Sequence, residues 1–141
     1  MSEISETSEP NEPNEPDEPP FALYNYEQFP EVRVTFRGTI KKENDFTWFT
    51  QQWIDLYVDQ KEFNFLFDMK DIGLVNPLYS YKMASFISEL KKHPVQYLTH
   101  SKIINVNRFM KYLLYIVFKF QSPVAPVEIC CLDGSIITID P

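Results

Sequence analysis

Few side chains in this sequence could carry chemistry. Asp68 and Asp71 stand where an apolar strand pattern ends, a place where paired carboxylates could hold Mg²⁺ for phosphoryl transfer in an α/β sheet. The same residues serve as turn groups that accept backbone N–H bonds. With 3 glycines in the chain and no Gly-rich phosphate loop, the turn reading is the stronger. His93 and His100 share one loop region without a Ser or Cys in an elbow motif beside them, so no nucleophile and base pair is assembled. His93 follows Lys91 and Lys92 and precedes Pro94, where cations complement a helix carboxyl terminus. Cys130 and Cys131 are adjacent in a strand-like segment, so their side chains point to opposite faces and are poorly placed to bridge each other. Two adjacent Cys and two His lack the spacing of a zinc site. The expectation is a non-enzyme with no metal, no cofactor and a reducing, cytoplasmic setting.

The elements that would position these groups occupy only part of the chain. Of 141 residues, 20 are Asp or Glu and 13 are Lys or Arg, a net charge of −7. Residues 1–20 hold seven of the acids and no base, so the remaining 13 acids face 13 bases in residues 21–141. From Glu9 the head repeats Glu-Pro-Asn with a period of three, which matches polyproline II. Residues 1–20 therefore read as a disordered acidic leader, solubilising or a tether for a basic partner, and residues 21–141 as one globular domain. The 2 Trp, 8 Tyr and 12 Phe all lie in that domain, enough for a core. Neither part has the positive charge that phosphate neutralisation needs, so no nucleic acid is expected. The amino terminus has no signal-peptide pattern. The longest apolar run, Tyr112 to Phe118, is 7 residues, against about 20 for a transmembrane span.

Within the domain, residues 21–30 suggest an edge strand ended by Pro30. Val32, Val34 and Phe36 alternate with Arg33, Thr35 and Arg37, a half-buried strand closed by Gly38. Phe46, Phe49, Trp53 and Leu56 recur at helical spacing, with Asn44 or Asp45 as N-cap. Phe63, Phe65 and Phe67 mark a second strand ending near Asp68. Asn76-Pro77 opens a second helix, with Met83, Phe86, Ile87 and Leu90 as its buried stripe and Pro94 as its stop. A third strand covers Lys102–Val106, and Asn107 caps a third helix over Arg108–Gln121. Val127–Leu132 and Ser135–Ile139 flank Asp133-Gly134, a type I′ hairpin signal. Strands and helices in alternation imply an α/β fold with a mixed, centrally parallel sheet and a C-terminal hairpin at one edge.

The third helix is apolar nearly all round. If Phe109, Tyr112, Leu113, Ile116, Val117 and Phe120 face the sheet, then Met110, Leu114, Tyr115 and Phe118 remain opposite, to be covered by the chain itself or by a partner.

The stretch from Val32 to about Val127 resembles the STAS domain, the fold of anti-sigma-factor antagonists and of sulfate-transporter tails. The likeness rests on Val34-Thr-Phe-Arg-Gly38, Phe65-Leu-Phe-Asp68, Leu74-Val-Asn-Pro-Leu78 and Ser101-Lys-Ile-Ile-Asn-Val106. The resemblance implies partner binding at the start of the second helix, through Asn76, Leu78, Tyr79 and Ser80. Where the family carries a phosphorylated serine this chain has Leu78, leaving Tyr79 and Ser80 as the nearby hydroxyls. The expected function is a non-catalytic STAS-like interaction module, a scaffold or assembly subunit. It would bind a protein partner or a second copy of itself through Asn76, Leu78, Tyr79, Ser80, Met110, Leu114, Tyr115 and Phe118. The alternative is a lipid or small-molecule carrier, because STAS-like sheets resemble the lipid-binding lobe of the Sec14 group and an aromatic-rich body could line an apolar pocket.

Overall fold

Period-two patterning builds the sheet. In a computed structural model that describes residues 20–141, Val32, Val34 and Phe36 are buried while Glu31, Arg33 and Arg37 are exposed. The leader expected over residues 1–20 lies, apart from Pro20, outside the described residues. The elements run β1 (Ala22–Asn25), β2 (Glu31–Gly38), α1 (Glu43–Val58), β3 (Phe63–Ile72), α2 (Leu78–Leu90), β4 (Leu98–Val106), α3 (Arg108–Phe120), β5 (Val127–Cys131) and β6 (Ile136–Ile139). The six strands lie side by side in chain order. β2 to β5 are parallel, and β1 and β6 close the two edges antiparallel. This is an α/β fold with a mixed, centrally parallel sheet and a C-terminal hairpin.

Sequential parallel strands joined by right-handed crossovers place all three helices on one face of the sheet. Two inward rows form the floor beneath them. One pairs Val34, Phe67, Ile103, Ile129 and Ile137 across successive strands. The other pairs Val32, Phe65, Ser101, Val127 and Ile139, a single hydroxyl among hydrocarbons. The opposite face carries Asn25, Arg33, Leu66, Lys102, Glu128 and Thr138 in register, a largely polar surface that none of the described helices covers.

Aromatic contacts join floor and helices. Phe65 lies 4.6 Å from Phe67 and 4.8 Å from Trp53 by ring centroids, and Phe36 lies 5.4 Å from Phe49. Such pairs contribute about 0.5–1.5 kcal/mol each beyond the area they bury. Where β2 and β3 end, the Gly73 N–H donates to the Gly38 carbonyl at 2.6 Å. A Cβ at Gly73 would meet that carbonyl at 3.2 Å, a tight contact, so the close approach favours glycine.

Several local expectations need correction. α1 begins at Glu43, with Asp45 at its third position. The Asp45 carboxylate reaches back to the backbone N–H groups of Lys41 and Lys42 at 2.8 and 3.2 Å instead of standing as the N-cap. α2 ends at Leu90, so Lys91, Lys92 and His93 form the turn after it and not its last turn. β3 and β4 are longer than expected, because pairing with neighbouring strands extends them past the residues whose alternation is visible. The hairpin is not type I′, which needs positive φ at both central residues. Within the turn only Gly134, at 92°, has it. Gly134 N–H donates to the Cys131 carbonyl and Cys131 N–H to Ser135, giving a three-residue loop.

α3 is rotated from the expected orientation. Met110, Leu113, Ile116 and Val117 are buried, whereas Tyr112 and Phe120 are exposed. With apolar residues on every side, hydrophobicity alone does not choose the buried face, and tyrosines settle where their hydroxyls stay in water.

Candidate functional site

Between the inward face of the sheet and the three helices lies an apolar cavity of about 140 Å³. Phe36 and Phe67 contribute from the sheet, Trp53 from α1, Ile87 from α2, and Leu113 and Val117 from α3. Half-buried Ile40, Ile72, Tyr79 and Met83 line it at the carboxyl ends of β2 and β3 and the amino end of α2.

Among the described residues no Asp, Glu, Lys, Arg or His lines the cavity. Its polar groups are hydroxyls and an indole. Ser80, on α2, is buried and donates its hydroxyl to the Leu113 carbonyl of α3 at 3.1 Å. The Tyr79 hydroxyl is turned to Glu43 at 3.5 Å. Ser101, 3% exposed, is held by its backbone N–H to the Pro126 carbonyl at 2.9 Å, while its hydroxyl has no hydrogen-bond partner among the described residues. Trp53 Nε1 is a buried donor that makes no close hydrogen bond among the described residues and lies towards the Tyr57 hydroxyl, whose pKa it helps to hold down. Trp53 packs on Phe65, and Phe65 is the strand neighbour of Ser101.

Of the residues that sequence reasoning assigned to a partner surface, Tyr79, Ser80, Met110, Leu114 and Phe118 all line this cavity. Met110 is buried and Leu114 and Phe118 are half-buried against the core, which corrects their expected place on the face away from the sheet. Asn76, Leu78 and Tyr115 are exposed. The Asn76 carboxamide oxygen accepts the Leu78 N–H at 2.9 Å and opens α2. Outside the cavity, Tyr81 of α2 and Phe120 of α3 pack at 5.2 Å with both rings exposed, and Lys119 lies 5.6 Å over Tyr115. Ser101 escaped sequence reasoning. Its signal was a hydroxyl two residues before Ile103 in a strand, legible only once the strand is extended back to Leu98.

The groups considered for catalysis are spread apart. Asp68, on the sheet face opposite the cavity, accepts from Arg33 Nη2 at 2.8 Å, Asn105 Nδ2 at 2.9 Å and Lys70 N–H at 3.0 Å. Burial pushes its carboxyl up, but those donors, Asn105 first, outweigh it and hold it below the usual value. Asn105, which makes this contact, has a left-handed φ of 60°. Asp71 is exposed and shares none of these partners. His93 Nδ1 lies 2.9 Å from the Val95 carbonyl and His100 Nδ1 lies 3.2 Å from Thr99 Oγ1. Among the described residues no group of three His, Cys, Asp or Glu is placed to hold a metal ion. No helix among them is long and apolar enough to cross a membrane. Comparison with protein-family models, with curated proteins and with solved structures returned no match.

Proposed function

We propose that this protein is a non-catalytic binder of one small apolar molecule, held in the cavity between the sheet and its helices. The observation that carries the reading is the cavity itself, about 140 Å³ open inside an otherwise aromatic core. Drug-sized ligands occupy about 300–1,000 Å³, whereas an apolar cavity of about 150 Å³ stays dry and takes up benzene or xenon. The ligand class is therefore a single ring or a short chain, and a two-chain lipid of the Sec14 kind is too large. A charged ligand is disfavoured, because no ionic side chain lines the cavity to pair with it. Native mass spectrometry of the gently extracted full chain tests the reading. One retained small mass per chain is expected, released by an excess of benzene, and a chain that neither carries such a mass nor takes up benzene would defeat it.

A second reading is the STAS-like interaction module, docking a protein partner or a second copy of itself outside the cavity. It draws support from the exposed Tyr81 and Phe120 pair, with Leu78 and Tyr115 also exposed nearby in sequence on α2 and α3. Aromatic residues are favoured at such surfaces. The position that the STAS resemblance would give to a phosphorylated serine is Leu78, so this module would dock without that switch. Sedimentation of the full chain across a concentration series tests self-association, and a strict monomer would leave this reading dependent on a heterologous partner.

A further inference from the structure

We infer that Ser101 is the polar anchor of the cavity, and that the ligand is a neutral single-ring or short-chain molecule carrying one hydroxyl or carbonyl oxygen. This rests on the small-ligand reading above and narrows its chemistry. Ser101 stands in an inward row whose other members, Val32, Phe65, Val127 and Ile139, are all hydrocarbon or aromatic. The residue is only 3% exposed, and it lines the cavity. The other cavity serine, Ser80, spends its hydroxyl hydrogen on Leu113, but that of Ser101 is not spent on any described residue. A methyl-bearing residue would fill the same place without leaving a donor unpaired. An oxygen on the ligand supplies the missing partner, accepting from Ser101 Oγ, or donating to it where the ligand is an alcohol or phenol. Selectivity then lies in the oxygen and size exclusion in the aromatic walls, because a site built to pair a polar group discriminates against analogues that lack it.

The test compares two rings of matched size, benzene and phenol, titrated into the full chain and its Ser101→Ala variant by calorimetry or NMR. Removal of the hydroxyl is expected to weaken phenol about fivefold or more, the loss of one neutral hydrogen bond, while benzene affinity stays within about twofold. Benzene binding to the variant also reports that its cavity is intact, and Ser101→Thr, which keeps the hydroxyl, is expected to retain the preference for phenol over Ser101→Ala. If benzene binds both proteins and Ser101→Ala weakens both probes equally or neither, the anchor is overturned while the small-ligand reading stands. If neither probe binds the unaltered chain, that reading fails and the anchor with it.

Discussion

The Ser80 hydroxyl of α2 donates to the Leu113 carbonyl of α3 at 3.1 Å, bridging two helices 33 positions apart in the sequence. The nearest serine to the position where the STAS resemblance would place a phosphate is thus a buried link between helices. Ser80→Ala is expected to lower stability by about 1 kcal/mol, the worth of one hydrogen bond. Ser80→Asp should cost several kcal/mol more by burying an unpaired charge, of the order expected for such changes. Urea unfolding of the two variants measures both. Stability unchanged in Ser80→Asp would mean that this helix pair opens readily enough to expose the site.

Asp68 ties β3 to Arg33 of β2 and to Asn105 at the end of β4. Its carboxyl is held below the usual value, so its contribution is fully present above the unfolded value of about 4 and is lost as pH falls through the lower folded value. Asp68→Asn should cost about 1 kcal/mol at neutral pH. It should also flatten the acid limb of the stability profile below about pH 4, read as the unfolding midpoint at a series of pH values.

Tyr57 behaves in the opposite sense. Burial pushes its phenol up to about 12, opposed in part by the Leu98 backbone and the Trp53 side chain. Its neutral form donates to Gln96 Oε1 at 2.7 Å. Stability from this group is complete below the unfolded value of about 10 and declines as pH rises towards the folded value. Tyr57→Phe should therefore show a shallower loss of stability in that alkaline window, followed by tyrosinate absorbance and circular dichroism together.

Much of the fold was legible in local pattern. Phe63, Phe65 and Phe67 announced β3 by alternation, Asn76-Pro77 announced α2, and Asn107 did cap α3, accepting the Met110 N–H at 2.8 Å. Those signals depend on neighbours in sequence, so a linear reading finds them. The cavity does not. Leu114 and Phe118 looked like an outer face because helical periodicity compares residues only within the helix, whereas their burial is decided by α2 and the sheet. Ser101 is set inward by pairing with Phe65 and Val127, each more than 20 positions away, and its missing partner exists only as a property of the packed core.

The same geometry separates the two surfaces of α3. Changing Leu114 and Phe118 together to Glu should destabilise the monomer by several kcal/mol, because both side chains pack on the core and line the cavity. Changing exposed Tyr81 and Phe120 to Glu should cost no more than about 1 kcal/mol by comparison. If the interaction reading holds, that second pair should abolish association, seen as loss of the heavier species in sedimentation.

If the protein binds as proposed, the space beneath the three helices admits a small apolar guest. Methyl NMR of the full chain under xenon pressure addresses it most directly. Saturable, single-site shifts are expected at the lining methyls of Met83, Ile87, Leu113 and Val117, with the buried but non-lining Val32 and Val34 left nearly unmoved. Shifts confined to exposed Leu74 and Leu132, with those lining methyls silent, would contradict it.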